Sequence, residues 1–315
     1  MSRVAWIDTA RCLAMLAIMW QHSSEAPEPW LSAPVGGGIC LFFILAGRFM
    51  PAEPGAAAQR ALRLGLAWFL WSLLSLGLYI LAQPGVEWSW ARAFGWGAPA
   101  YNTPLWFLRN LCLYQLILAG LGALHLLPRY KWLLLALLLG ASYAAEPAQH
   151  VGLRFDWLSA VLLGYCLRPL PTERVHSWLA GQAPALLAAG ALLLCQRIWY
   201  PRLLGLLGQQ SYSCSLHLPE LIWAIAYLLA AIGTLRFCRP LGERMAHSGP
   251  CMLFIYAGHS LAYAPFYTLP LPSACRLGLM ALILILLTLL CKWLQRHCPR
   301  ATNLLIAKPM RKNDE

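Results

Sequence analysis

The sequence predicts an all-α, polytopic membrane protein with about ten transmembrane helices and both termini in the cytoplasm. Composition is the first reason. Hydrophobic residues make up 60% of the 315 residues and charged residues only 11%, whereas an ordinary soluble domain has roughly 25% charged residues. The second reason is that the apolar residues form windows of membrane-spanning length. The third is the uneven distribution of basic residues between the loops.

The apolar windows follow one another along nearly the whole chain. We expect spans near 5–22, 36–50, 62–82, 104–126, 131–145, 152–168, 183–199, 214–235, 249–267 and 274–294, the second and fifth of them short. The segment at about 83–103 is rich in Trp, Gly and Pro, which favours a folded loop at the membrane interface. The predicted organisation is one transmembrane domain over residues 1–299, then a basic cytoplasmic tail over 300–315 that we expect to be disordered.

Basic residues predict the orientation. Most of the 24 Lys and Arg residues lie inside when the N-terminus is cytoplasmic. The net charge of +12 therefore indicates topology and attraction to anionic membrane lipids. No basic run lies on a soluble domain, so nucleic-acid binding is not predicted. The eleven cysteines are dispersed without a C-x-x-C pair, and we predict neither a disulfide framework nor a metal site.

The first span carries three ionisable residues, Asp8, Arg11 and His22. Such groups are costly in hydrocarbon unless they face a bundle interior or water, so they suggest a functional site. Asp8 and Arg11 are one turn apart and can form an ion pair, which by itself explains both near the inner interface. Arg11 and His22 share a helix face to within roughly 20°, about 16 Å apart along the axis. His22 is either an ordinary interfacial residue or a base for an acceptor hydroxyl.

Several later positions are also candidates for chemistry. Arg60 and Arg63 precede the third span, where they either anchor the helix or bind the phosphates of an anionic ligand. Trp106 and Arg109 open the fourth span, as a membrane-belt aromatic residue and a cation that needs a partner, either Glu87 or a substrate.

Two further candidate segments lie in the ninth and second spans. Tyr256 and His259 lie three apart in the ninth span, where they form either a structural hydrogen bond or part of a site. Gly36-Gly37-Gly38 begins the second span and favours close helix packing.

Together these residues resemble the acyltransferase 3 family of integral-membrane O-acyltransferases, and most closely its enterobacterial common antigen O-acetyltransferase type. The resemblance spans nearly the whole chain and depends on the order and spacing of five motifs. These are Trp6-Ile7-Asp8-x-x-Arg11 with ten residues to His22, Phe42-Phe43-Ile44-Leu45-Ala46-Gly47, Arg60 with Arg63, Leu105-Trp106-Phe107, and Tyr256-x-x-His259. The family usually has serine where this chain has Ala46, and a hydrophobic or aromatic residue in place of Arg48.

The resemblance implies transfer of an acyl group, usually acetyl from cytoplasmic acetyl-CoA, to a hydroxyl of a cell-envelope polysaccharide or lipid-linked saccharide. It implies location in the bacterial inner membrane. Arg11 and His22 would be the essential pair, with Asp8 beside them, and Arg60 and Arg63 would meet the CoA phosphates. Trp106, Arg109, Tyr256 and His259 are the candidate acceptor-binding residues.

Two other classes of function remain open from the residues. A proton-coupled carrier would use Asp8, Arg11, His22, Asp156, Glu220 and His259 as a relay. It predicts charges near the bilayer midplane, whereas most ionisable groups here lie toward the ends of spans. A nonenzymatic scaffold or sensor is the other, if Ala46 and Arg48 mark the loss of a site.

Overall fold

A computed structural model describes residues 4–23, 32–82, 89–94, 102–144, 154–182, 218–266, 269 and 271–308. All regular secondary structure in these ranges is helical, which confirms the predicted all-α membrane class. The α-helices are α1 (Ala5–Gln21), α2 (Ser32–Arg48), α3 (Pro54–Ala82), α4 (Trp90–Phe94), α5 (Trp106–Ala123), α6 (Leu126–Ala144), α7 (Phe155–Cys166), α8 (Thr172–Gly181), α9 (Leu218–Phe237), α10 (Arg239–Ala246), α11 (Met252–Tyr263), α12 (Ser273–His297) and α13 (Pro299–Leu305).

Among the described helices, α3, α5, α9 and α12 are long and apolar enough to cross a membrane by length and composition. Two others, α2 and α7, are apolar but shorter. The predicted ninth span is helical over residues 249–266, with 3-10 turns at Gly249–Cys251 and Ala264–Phe266 on either side of the 12-residue α11. The predicted span at 183–199 lies outside the described residues. The total of ten spans and the orientation of the termini stay predictions.

Glycines allow α2 to pack closely on its neighbours. A Cβ atom at Gly37 would lie 2.3 Å from Cβ of Trp223 in α9, and one at Gly47 only 1.8 Å from the carbonyl oxygen of Val161 in α7. The α7 side is reciprocal, because a Cβ at Gly164 would lie 1.9 Å from the carbonyl oxygen of Ile44. These distances support the interpretation of the glycine segment as a helix-packing surface.

Helices α1 and α11 lie side by side and run in the same direction. Asp8, near the start of α1, packs against Gly249 just before α11 begins. His22, immediately after α1, contacts His259 in the second half of α11. The two helices therefore extend together from Asp8, predicted to lie near the inner side of the membrane, to His22, predicted to lie near the outer side.

The expectation of a disordered tail is wrong for its first part. Residues Pro299–Leu305 form α13, which packs against α3 and α12. The Nε1 atom of Trp71 donates a hydrogen bond of 3.2 Å to the carbonyl oxygen of Leu305, and Ile306 is buried. The cause is a short apolar segment, Leu304-Leu305-Ile306, inside an otherwise polar tail. Residues 309–315 lie outside the described ranges.

Candidate active site

At the start of α1, Asp8 and Arg11 form the predicted ion pair. Nη1 of Arg11 donates to Oδ1 of Asp8 at 3.2 Å, which confirms the pairing. The guanidinium carbon of Arg11 also lies 5.8 Å from the ring centroid of Phe42 in α2, within cation–π range. The carboxylate of Asp8 fills the space above Gly249, where a Cβ would come within 2.4 Å of its Cγ. Arg11 is thus held by α1 itself and by α2.

Arg60 extends this positive group from α3. Its Nη1 donates a hydrogen bond to the carbonyl oxygen of Phe49, and the charges of Arg11 and Arg63 both act on it. The buried Nε of Arg63 has no hydrogen-bond partner among the described residues. Among the described residues, Arg11, Arg60 and Arg63 outnumber the neighbouring carboxylate of Asp8, and this positive charge suits an anionic ligand.

A cavity of about 380 Å³ lies beside Arg11 and Arg60, and such a volume is within the usual range for small-molecule sites. Arg11 and Arg60 line it at one end and Tyr256 lines it from α11. Between them its wall is mainly aromatic and aliphatic. The main contributors are Phe42, Phe49, Phe107, Leu108, Leu111 and Met252, with Ala46 on the α2 side. Arg63 is not among the described residues that line this cavity.

Two histidines meet at the far end of α1. Nδ1 of His22 lies 3.0 Å from Nε2 of His259, and the two ring planes are nearly parallel, with an interplanar angle of 10° and ring centroids 5.3 Å apart. Nδ1 of His259 in turn lies 2.6 Å from the carbonyl oxygen of Tyr256, one helical turn earlier. His259 is only 1% exposed. The structure thus links His22 to a buried imidazole 237 positions later in the sequence.

Tyr256 connects this pair to the cavity. Its ring centroid lies 5.9 Å from that of His259 and 4.9 Å from that of Phe107, a cavity residue. Its hydroxyl donates to the carbonyl oxygen of Pro104 at 2.8 Å, just before α5. Nearby, Nδ2 of Asn102 donates to the carbonyl oxygen of Ala257 at 2.8 Å. These bonds fix the position of α11 relative to α5.

The remaining predicted site residues lie elsewhere on α5. Trp106 contacts Phe107 edge-on and is not among the described residues that line the cavity. Arg109 is buried, and its Nε and Nη2 both lie 3.3 Å from Oδ1 of Asn110. Its predicted partner Glu87 lies outside the described residues. An acceptor-binding role for Trp106 and Arg109 stays a prediction.

Sequence reasoning missed two parts of this site. Ile306 and Ala307, after α13, line the cavity beside Arg11 and Arg60, although the tail carried no signal beyond three consecutive apolar residues. The contact between His22 and His259 was also missed, because a pairing between helices so distant in sequence cannot be inferred from spacing. The shared helix face of Arg11 and His22 was the only usable signal.

A second cavity, of about 670 Å³, lies between α1, α2, α7, α8 and α9 and is almost entirely apolar. None of the predicted site residues lines it. Arg48, the departure in the second span, is at its wall, and its two terminal nitrogens donate to the carbonyl oxygens of Leu167 and Leu170, each at 2.5 Å. Arg48 therefore secures the end of α7 and takes no part in the first cavity.

The fold and the site define an all-helical membrane protein in which one helix joins a basic cavity to a buried pair of imidazoles. Among the described residues, no group of three or more His, Cys, Asp or Glu side chains could hold a metal ion.

The chain belongs to the acyltransferase 3 family, because the family model described as an acyltransferase domain matches residues 4–298, nearly the whole chain. It is therefore a membrane acyltransferase. No curated protein and no solved structure matches it.

Proposed function

We propose that this acyltransferase moves an acetyl group from cytoplasmic acetyl-CoA to a hydroxyl of a cell-envelope glycan or a lipid-linked saccharide. It would do so from the bacterial inner membrane, with both termini in the cytoplasm. The observation that carries the proposal is the cavity that runs from Arg11 and Arg60 to Tyr256, one helical turn before His259 and its partner His22.

The basic end of the cavity is suited to the donor. Guanidinium groups match phosphate oxygens in geometry and charge, and CoA carries several phosphates. Arg60 provides such a group at the cavity wall, and Arg63 adds a buried donor nitrogen that lacks a protein partner among the described residues. Asp8 acts as a positioning residue that orients Arg11 through their ion pair.

The aromatic and aliphatic part of the cavity wall is suited to the pantetheine arm. Arg11 and His22 are separated by about 16 Å along α1, a distance that an extended pantetheine arm can bridge. Phe42 and Phe107 line this route and contact each other in an edge-on arrangement, with ring centroids 6.2 Å apart. The thioester would then be delivered to the side of the membrane where His22 lies.

His22 would act as general base. It removes the proton from the acceptor hydroxyl while that oxygen attacks the thioester carbonyl carbon. The carbon–sulfur bond breaks, and the departing CoA sulfur takes the proton from the imidazolium. A transient acyl-imidazole on His22 is the other route open to the same residue, and it would show ping-pong kinetics.

Binding of acetyl-CoA by the purified protein tests the half of the proposal that concerns the acyl donor. Arg60→Ala should weaken binding about tenfold or more, because one charge-assisted contact to phosphate is lost. Arg174→Ala is the matched control, since Arg174 is exposed on α8 and lines only the second cavity. Equal binding by the Arg60→Ala variant, the control and the unmodified protein would contradict this half of the proposal.

A further inference from the structure

The contact between the two histidines fixes where protons lie, if both rings are neutral. Nδ1 of His259 lies 2.6 Å from the carbonyl oxygen of Tyr256. A carbonyl oxygen can only accept, so this nitrogen carries the hydrogen and donates it. In a neutral imidazole the other nitrogen then has no hydrogen and is an acceptor. Nε2 of His259 is therefore an acceptor.

The tautomer of His22 follows from that of His259. Its Nδ1 lies 3.0 Å from the acceptor Nε2 of His259, so this nitrogen must be the donor of that bond. Nε2 of His22 is then left without a hydrogen. A chain of two hydrogen bonds, starting from a main-chain carbonyl, thus sets the tautomer of His22 and makes one defined nitrogen basic.

We infer that His259 is a positioning residue that holds His22 in the tautomer with a basic Nε2 and stabilises the imidazolium that His22 becomes during transfer. This role rests on the proposed function of His22 as the base. It differs from the acceptor-binding role predicted for His259 from sequence. If His22 carried the acyl group, the same two hydrogen bonds would leave its Nε2 free to act as the nucleophile.

Three observations support a positioning role over simple packing. His259 is 1% exposed, so water cannot replace it as the partner of His22. Its own orientation is held by the carbonyl of Tyr256, and Tyr256 is held in turn by Pro104. When His22 gains a proton on Nε2, its bond to His259 becomes a charge-assisted bond, and such bonds are roughly twice as strong as neutral ones. The interaction is therefore stronger in the transition state than in the ground state.

Two substitutions at position 259 distinguish a role as hydrogen-bond acceptor from a role in filling space. His259→Leu fills volume but cannot accept a hydrogen bond, whereas His259→Gln presents an amide oxygen of similar reach. We expect His259→Leu to lower kcat about 100-fold with KM for acetyl-CoA unchanged within twofold, in line with the loss of an orienting partner. His259→Gln should recover kcat to within about tenfold of the unmodified enzyme. Equal kcat values for the two variants, whether high or low, would overturn the inference.

A spectroscopic measurement on the unmodified sequence gives a test that does not depend on the activity of the His259 variants. Nitrogen-15 spectra of histidine-labelled protein, compared with those of the His22→Ala variant, identify the signals of His22. We expect a protonated Nδ1 and an unprotonated Nε2, and the opposite tautomer would overturn the inference. Activity in His22→Ala would instead contradict the proposed function itself, so the two failures are distinguishable.

Discussion

Single side chains in this protein have roles that depend on what lies across the helix interface. Tyr256 is an example, because its hydroxyl is used to hold α11 against the residue before α5 and its ring closes the cavity. The sequence predicted that Tyr256 and His259 form a polar pair. The partner of the hydroxyl, a main-chain carbonyl, has no signature in sequence.

Tyr256→Phe should therefore lower stability more than activity. The substitution removes one buried hydrogen bond and leaves the carbonyl of Pro104 without that donor, which costs about 1–2 kcal/mol. The ring and its contact with Phe107 are retained, so kcat should change less than threefold. Thermal unfolding in detergent, with the half-exposed Tyr130→Phe as control, measures the effect. A large loss of kcat at unchanged stability would assign the hydroxyl to the chemistry instead.

At the scale of elements, the crossing of α2 and α7 has no room for a side chain. Gly47 faces the main-chain carbonyl of Val161 in α7, and Gly164 faces that of Ile44 in α2, so neither backbone can shift without moving a whole helix. Sequence predicted this kind of packing for the start of α2, where three glycines are consecutive. It could not predict the partner helix, since α7 carries only one glycine at the crossing.

Gly47→Ala should be destabilising by several kcal/mol, or should prevent folding, because its Cβ would lie 1.8 Å from a carbonyl oxygen. Gly77→Ala in α3 is a matched control, since a Cβ there meets nothing within 4 Å and alanine favours helix by about 1 kcal/mol. The yield and melting temperature of the two purified variants decide the matter. Similar values for both would mean that α2 and α7 do not cross this closely.

Element positions also show how far sequence reasoning reached. Helical class, the Asp8–Arg11 pair and the positions of most described spans followed from apolar windows and helical spacing. The 3-10 turns at the two ends of the ninth span and α13 did not, because such turns and a seven-residue helix leave hydropathy over a 20-residue window unchanged. Contacts between α1 and α11 depend on tertiary packing, which no local pattern records.

At the scale of the whole molecule, the two ends of the described chain meet at one site. Ile306 and Ala307 lie in the wall of the cavity that Arg11 enters from α1. This cavity is therefore complete only when the last described helices have packed. The first residues of the predicted tail therefore contribute to the wall of this cavity.

Ile306→Asp should weaken acetyl-CoA binding at least tenfold, since a carboxylate in the cavity wall would compete with phosphate for Arg11 and Arg60. Lys308→Ala is the control, because Lys308 is exposed and does not line the cavity. Isothermal titration with acetyl-CoA measures both variants. Unchanged binding by Ile306→Asp would mean that acetyl-CoA binds outside this cavity.

The most direct test of the central claim is the acetyl content of cell-envelope glycans, measured by mass spectrometry in cells that lack the protein and are complemented with each variant. The unmodified protein should restore a mass increase of one acetyl group per modified unit. His22→Ala should restore none while reaching the membrane in normal amount, and His297→Ala, on the exposed end of α12, should restore it fully. Acetylation by His22→Ala at the level of the unmodified protein would contradict the account.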